Sequence, residues 1–379
     1  MQHDDAKRVQ ELEKKRITPR THAHKQVQLF AHLPQYERES SLTAAAVAKG
    51  NNHPAVLRLG LQMAENIITG SNARVVAVLR AIQQVVTDFS CPPSKVLLRE
   101  LKLQLNHEIQ YLNDCRPQSM AMGNAIKWLK HRVGHAPPHL PAEQVKSLIC
   151  TQVDTFLHEK ITLAAQAIID YAFGRISPGD VVLVFRSSCL VFDILMHAMQ
   201  QGVEFRVIVI DCGPKFEGRE MMSRLMKAGV HCTYALLHAL SYCIVEATKI
   251  LLGASSMLVN GTLLARAGTA LVAMAAHQRG VPVLVCCETY KFSERVLLDS
   301  ICYNELGDPD ELANSSADLP SGSRILEWRD IPQLKLLNLL YDATPMKYIT
   351  MVITEAGVIP PTSVPVIIRE DMARSRVAE

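Results

Sequence analysis

The sequence predicts an α/β protein, with an all-helical N-terminal domain followed by a Rossmann-like, doubly wound parallel-sheet domain. Apolar residues recur at helical spacing from about residue 53 to 128. Beyond residue 177, short and continuously apolar runs alternate with helical stretches. Such runs are typical of strands in a parallel sheet that is covered on both faces. The two patterns divide the chain near its middle.

We predict a charged arm over residues 1–20, a helical domain over 21–150, a bridging helix over 151–176 and the α/β domain over 177–379. The arm has too few apolar positions to form a stable helix by itself. The bridging helix ends a long helical pattern that fits residues 142–175. The predicted strands of the sheet are residues 181–185, 207–211, 233–237, 258–259 and 283–287.

Composition excludes several classes of function. The chain has 379 residues, 48% of them hydrophobic and 20% charged, with a formal charge of +3, so we expect no direct nucleic-acid partner. No uncharged apolar run reaches the roughly 20 residues that span a bilayer, and the N-terminus lacks a secretory signal. We therefore expect a cytosolic protein without a membrane contact. The ten cysteines show no CxxC spacing and the histidines no HExxH spacing, so no metal site is predicted. The sequence also has no GxGxxG or GxxxxGK[ST] motif, so no nucleotide cofactor is predicted.

A candidate anion pocket is predicted where parallel strands end, because ligands of doubly wound sheets bind beyond the strand carboxyl ends. Three segments of the chain should meet there, one after each of the first two strands and one around the Asn-Gly turn. Ser187 and Ser188, which follow the first strand, would either hold a phosphate at a helix N-terminus or cap the helix. The predicted pocket residues are Arg186, Ser187, Ser188, Asn260, Gly261, Thr262, Gly268 and Thr269.

Other groups at this edge have two possible interpretations each. Cys189 is either an accessible nucleophile or a packing thiol. Asp211 either binds a ribose or caps a turn. Tyr290 and Phe292, in the run 288–292, either line the pocket or anchor a partner surface.

Several motifs together resemble a known family: Asn260-Gly261 with Gly268-Thr269, CETYKF, NELGDP, YDATP and ITEAGVIP. This is the family of regulatory alpha, beta and delta subunits of the guanine nucleotide exchange factor for translation initiation factor 2. It shares its fold with methylthioribose-1-phosphate and ribose-1,5-bisphosphate isomerases. VQLFAHLPQY, SNAR and CRP, at residues 27–36, 71–74 and 115–117, resemble the delta subunits. Delta subunits also carry a long N-terminal extension, which is not part of this sequence.

The resemblance implies a subunit without catalytic residues. The catalytic Cys and Asp of the isomerases correspond to Arg186 and Thr262 here. Arginine is not a nucleophile or base at neutral pH, and threonine is not a general acid. Cys189 lies about three residues too late to substitute. A sugar-phosphate isomerase that uses Cys189 or Asp211 remains the alternative. A pocket that binds a sugar phosphate without turnover is a third hypothesis.

The resemblance also implies the partners. They are the beta, alpha, gamma and epsilon subunits of the exchange factor, and the alpha subunit of initiation factor 2 in phosphorylated and unphosphorylated form. The chain would scaffold the complex and sense this phosphorylation during stress. The residues that match the sensing surface are Arg99, Glu159 and Leu163, and those expected at subunit interfaces are Val27, Leu29, Leu337 and Leu339. Glu159 and Leu163 are four apart on one helix face, where Glu159 would pair with a basic residue of the partner.

Overall fold

The structure is a computed structural model that describes residues 25–33, 52–91, 96–137, 140–314 and 327–377. The predicted charged arm lies outside these residues. No helix among them is long and apolar enough to cross a membrane.

The N-terminal half of the described chain is helical. A 3-10 turn over Gln28–Phe30 precedes helices α1 (Pro54–Ala64), α2 (Ser71–Asp88), α3 (Leu97–Cys115) and α4 (Met120–Gly134). Local sequence sets the starts of two of them. Pro54 occupies the first turn of α1, where its missing N–H costs no hydrogen bond, and Ser119 caps α4 by accepting from the N–H of Met122. The apolar faces of these helices share one core.

A long helix joins the two halves of the molecule. It consists of α5 (Ala142–Leu157), a π-helical turn over His158–Leu163 and α6 (Ala164–Phe173). Side chains of α5 belong to the helical core, whereas those of α6 belong to the core on one face of the sheet. The helical pattern over residues 142–175 therefore corresponds to one helix that contacts both halves. The domain boundaries themselves stay predictions.

Eleven strands and six further helices follow within the described residues. The strands are β1 (Val181–Phe185), β2 (Arg206–Asp211), β3 (His231–Leu236), β4 (Lys249–Gly253), β5 (Ser256–Leu258), β6 (Leu263–Arg266), β7 (Val283–Cys286), β8 (Phe292–Ser293), β9 (Tyr341–Thr344), β10 (Met351–Thr354) and β11 (Gly357–Ile359). The helices are α7 (Cys189–Gln200), α8 (Gly218–Lys227), α9 (Leu240–Cys243), α10 (Thr269–Arg279), α11 (Asp310–Asn314) and α12 (Val364–Val377).

Seven strands form the main sheet, in the order β11-β10-β7-β4-β1-β2-β3. All neighbours are parallel except β10 and β11. All five residues of β1 are buried, and they alternate between two cores. Leu183 packs on the face covered by α10, whereas Val182 and Val184 pack on the face covered by α6 and α7. The predicted fold class, a helical domain followed by a doubly wound sheet, is confirmed.

One predicted strand is in the wrong sheet. Residues 258–259 were expected in the main sheet, but Ser256–Leu258 forms β5 in a second sheet of order β8-β5-β6-β9. The place beside β1 belongs to Lys249–Gly253, which pairs with it in parallel. Both runs are apolar and short, and local hydrophobicity does not reveal which strand a run pairs with. From β1 the chain continues to β2 and β3 on one side of β1, and it then crosses to β4 on the other side. The switch point therefore lies between β1 and β4.

Candidate functional site

A cavity of about 430 Å³ opens at this switch point. The segment from Arg186 to Leu190 after β1 and the end of β4 from Leu252 to Ser255 form its floor. Residues 67–73, which connect α1 to the start of α2, also line it. The cavity therefore lies between the helical half and the sheet, at the edge where the sequence predicts a pocket.

Arg186 is the buried charged residue at the end of β1. It is 6% exposed and adopts a positive φ of 56°. Its Nη2 contacts the Cys212 sulfur at 2.9 Å, and its Nη1 lies 3.5 Å from a carboxylate oxygen of Glu217. The other oxygen of Glu217 accepts from Arg266 at 2.7 Å. The carboxylate thus partly neutralises two guanidinium groups that line the cavity.

The two serines and Cys189 lie where the sequence predicts them, at the start of α7. Ser188 caps the helix through the N–H of Val191, at 3.5 Å, so its capping interpretation applies. A Cβ at Gly253 would lie 2.4 Å from the Ser188 hydroxyl, which explains a glycine at the end of β4. Ser187 and Cys189 line the cavity, and Cys189 is exposed. The packing interpretation of this thiol is therefore wrong.

Asp211 does not line the cavity. Its side chain is fully buried, where it accepts from the Cys212 N–H and from the Tyr234 hydroxyl, both at 2.9 Å. These bonds match the capping interpretation and leave no access for a ribose.

The predicted pocket also needs correction at the Asn-Gly turn. Asn260, Gly261 and Thr262 form the hairpin turn between β5 and β6 and do not line the cavity. The Asn260 side chain closes this turn by accepting from the Thr262 N–H at 3.2 Å. Asn-Gly is a strong hairpin signal, and the hairpin belongs to the second sheet. Ser255, which the sequence analysis missed, lines the cavity instead.

The N-terminus of α10 holds a carboxylate of the chain itself. One oxygen of Asp342 accepts from the N–H groups of Gly268 and Ala270, at 2.8 and 2.9 Å. Burial raises the pKa of Asp342 to about 6, although these hydrogen bonds and Arg186 oppose the shift. Thr269 lines the cavity but Gly268 does not. This helix N-terminus therefore does not cradle an external anion, because Asp342 already occupies it.

The polar run after β7 connects the cavity to the helical core. Glu288 is fully buried, 2.6 Å from the Lys291 ammonium, and accepts from the Asn72 side chain at 2.6 Å. Tyr290 donates to Asn72 at 2.5 Å, and its ring packs edge-on against Phe156. Lys291 lines the cavity. Tyr290 and Phe292 are both buried within the chain, so their interpretation as anchors for a partner is wrong.

The residues expected at the sensing surface are all exposed. Arg99 lies in the first turn of α3, and Glu159 and Leu163 lie in the π-helical turn, where Leu163 is 51% exposed. No residue of this turn is buried. The sequence predicted an ordinary helix here, and helical spacing does not distinguish an α-helical from a π-helical turn. Whether these residues contact a partner stays a prediction.

The residues expected at subunit interfaces lie in two segments that are distant in sequence, and Lys25 links the first segment to residues just before the second. Lys25 is 5% exposed, and its ammonium donates to the carbonyl groups of Trp328 at 3.1 Å, Leu334 at 3.5 Å and Ile331. This contact places the start of the segment that carries Val27 and Leu29 beside residues 328–334, which precede Leu337 and Leu339 in the chain. Leu29 is 57% exposed and the other three are half-buried.

The apolar run from 334 to 340 forms neither helix nor strand, apart from a bridge between Leu339 and Leu306. Sequence reasoning missed Lys25, since a single lysine carries no pattern.

Comparisons with known proteins place this geometry in a family. A model of the initiation factor 2 subunit family matches residues 67–361. The translation initiation factor eIF2B subunit delta of Schizosaccharomyces pombe is 42% identical over 348 residues, which cover 91% of this chain and 74% of that protein. Its Dictyostelium discoideum counterpart is 44% identical over 375 residues, covering 97% of this chain. The chain spans only 60% of the Dictyostelium protein's length.

Solved structures point to the same family as the sequence comparisons. A chain in the crystal structure of the tetrameric eIF2B-beta2-delta2 complex from C. thermophilum matches with a TM-score of 0.76 and 33% identity, over 88% of this chain and 99% of that chain. A ribose 1,5-bisphosphate isomerase of Thermococcus kodakarensis is 28% identical over 269 residues, so isomerase relatives exist too. The delta proteins are more similar to this chain than this isomerase is, both in sequence identity and in the share of this chain that the match covers. The chain belongs to the initiation factor 2 subunit family, among the delta subunits of translation initiation factor eIF2B.

Proposed function

We propose that this chain is a non-catalytic regulatory subunit in the cytosol, which scaffolds an eIF2B-type exchange factor and senses the phosphorylation of initiation factor 2. Its partners would be the beta, alpha, gamma and epsilon subunits and the alpha subunit of initiation factor 2. The observation that carries the proposal is the exposed π-helical turn from His158 to Leu163.

This turn has the chemistry of a protein-binding surface. Glu159 offers a carboxylate in solvent, and the exposed Leu163 offers apolar area. A basic side chain of a partner could pair with Glu159 while an apolar one packs on Leu163. Single π-helical turns are uncommon inside α-helices and occur frequently at functional sites. Glu159 makes no ion pair with any residue in the described part of the chain, so it is available to a partner.

The cavity supports the absence of isomerase activity. The resemblance assigns the catalytic cysteine to the position of Arg186, a guanidinium that the chain holds through Cys212 and Glu217. The position that it assigns to the catalytic aspartate, Thr262, lies in the hairpin turn outside the cavity.

Assembly with a beta subunit is supported by the apolar area that the exposed Leu29 and the half-buried Leu337 and Leu339 leave in solvent. The C. thermophilum relative is described as part of a complex with beta subunits. We propose that Leu29, Leu337 and Leu339 contact such a subunit here.

The test is GDP release from initiation factor 2 by a reconstituted complex, with and without this chain, for phosphorylated and unphosphorylated substrate. We expect full exchange and sensitivity to phosphorylation only when the chain is present. Exchange and inhibition that are the same without it would overturn the proposal.

A second candidate function is a sugar-phosphate isomerase, which the exposed thiol of Cys189 in the cavity favours. The assay is turnover of ribose 1,5-bisphosphate by the chain alone, compared between Cys189→Ser and Cys302→Ser, since Cys302 is exposed outside the cavity. Turnover that only Cys189→Ser abolishes would establish this function.

A further inference from the structure

A second cleft, of about 440 Å³, lies between α3 and α4 and is closed at one end by residues that follow β8. It shares no lining residue with the cavity at the switch point. Its walls are one face of each helix. Asn106, Gln110 and Asn113 stand at helical spacing on α3, and Lys127 and Lys130 stand at helical spacing on α4. Its size is within the range of small-molecule sites.

All charged side chains that line this cleft are positive. Lys127, Lys130 and Arg295 line it, and no carboxylate does. None of the three forms an ion pair with a residue in the described ranges. The guanidinium of Arg295 lies 5.4 Å from the centre of the Tyr303 ring, which orients it over an aromatic face. Three uncompensated cations around one cleft attract an anion with several charges.

The start of α4 adds to this positive field. Ser119, Met120 and Gly123 line the cleft, so the first turn of a 15-residue helix opens into it. Ser119 already accepts from the Met122 N–H, but the helix dipole still favours a bound anion at this end of α4. Here it reinforces the side-chain cations and does not act alone.

We propose that this cleft binds a small anion with several phosphate groups, which contact Lys127, Lys130 and Arg295. The three cations favour phosphate groups, because no carboxylate lines the cleft to neutralise them.

Isothermal titration of the full chain with inositol 1,4,5-trisphosphate tests this proposal, with inorganic phosphate as the probe that carries one phosphate group and myo-inositol as the uncharged probe. We expect the trisphosphate to bind at least about tenfold more tightly than inorganic phosphate, which corresponds to about 1.4 kcal/mol, and myo-inositol not to bind. Lys127→Gln with Lys130→Gln should weaken trisphosphate binding by about tenfold or more. All these residues are exposed, so the fold should persist.

The matched control is Lys102→Gln with Lys227→Gln, which removes the same charge from exposed lysines outside the cleft. Equal weakening by both double variants would mean a general attraction and would overturn the site. Absence of saturable binding, binding of inorganic phosphate as tight as that of the trisphosphate, or tighter binding of a phosphoserine peptide than of the trisphosphate would overturn it as well.

Discussion

The ammonium of Lys25 donates to the carbonyl oxygen of Trp328 at 3.1 Å, across 303 residues of sequence. The same ammonium also contacts the carbonyl groups of Ile331 and Leu334. One buried cation therefore satisfies several carbonyl groups of a segment that begins with a 3-10 turn over Trp328–Asp330 and continues without regular structure to Leu334. It holds the first described residues of the chain against a segment close to its C-terminus.

Replacing Lys25 by methionine should release this contact while keeping the apolar stem. Hydrogen bonds from a charged donor contribute more than neutral ones, and we expect a loss of about 2 kcal/mol in the free energy of unfolding. Amide hydrogen exchange should accelerate over residues 25–33 and 328–334. Lys227→Met, at an exposed position, is the control. Unchanged exchange in both segments would show that the ammonium does not hold them together.

Glu159→Lys should leave the fold intact, because the side chain is exposed on the π-helical turn. Reversing its charge places a cation where a basic group of the phosphorylated substrate is expected. Inhibition of GDP release by that substrate should weaken by about tenfold, equivalent to about 1.4 kcal/mol. Glu246→Lys changes an exposed carboxylate of the α/β half and should have no effect. If both variants are inhibited normally, Glu159 is not part of the sensing surface.

Leu337→Asp should weaken assembly with the beta subunit. A charge in an apolar interface is desolvated without a partner, so we expect a cost of about 2 kcal/mol, or about 30-fold in the dissociation constant. Leu298→Asp, at a position that is 89% exposed, is the matched control. Light scattering reports the size of the complex, and thermal unfolding reports whether the half-buried position destabilises the fold. A complex of full size with a stable variant would exclude Leu337 from the interface.

Asp342 should make stability depend on pH. Its pKa is raised from 3.8 to about 6, so the folded chain holds the proton more tightly than the unfolded chain. The stabilisation by this proton is fully present below pH 4 and is lost as the pH rises through 6, a change of about 3 kcal/mol. In Asp342→Asn the amide oxygen still accepts from Gly268 and Ala270, but nothing titrates. Denaturant unfolding of both proteins between pH 4 and 7 measures the difference, and parallel curves would contradict the raised pKa.

The cavity at the switch point should bind a sugar phosphate without turnover. Arg186, Arg224, Arg266 and Lys291 line it. Glu217 partly neutralises Arg186 and Arg266, Glu288 pairs with Lys291, and Glu220 adds a further carboxylate to the lining. Ribose 1,5-bisphosphate should therefore raise the midpoint temperature of thermal unfolding. At a ligand concentration a hundredfold above the dissociation constant, binding should add up to about 2.7 kcal/mol to the free energy of unfolding. Ribose alone is the control, and Arg224→Gln at the cavity wall should reduce the effect. A midpoint unchanged at millimolar ligand would argue that Arg186 and Glu217 leave no room for it.

The fold class was readable from the sequence because burial patterns are local. The run from Val181 to Phe185 is apolar at every position, and each residue meets a core on one face or the other. The position of the cavity followed from topology. A crevice opens at the carboxyl ends of two neighbouring parallel strands whose connections run to opposite sides of the sheet. Arg186, Ser187 and Ser188 were therefore found from sequence alone. The motifs likewise identified the family.

Tertiary structure decided what depends on pairing between distant segments. Two neighbouring runs, 249–253 and 256–258, are both short and mainly apolar, so their sequences do not show which sheet each joins. The first run pairs with β1 in the main sheet, whereas the second belongs to the other sheet. That choice moved Asn260 to Thr262 out of the cavity and brought Ser255 in. Asp342 at the start of α10 and Lys25 among distant carbonyl groups are single residues without a periodic signal. A sequence pattern reports how often a residue type recurs along the chain, whereas these contacts exist because folding brings unrelated segments within hydrogen-bonding distance.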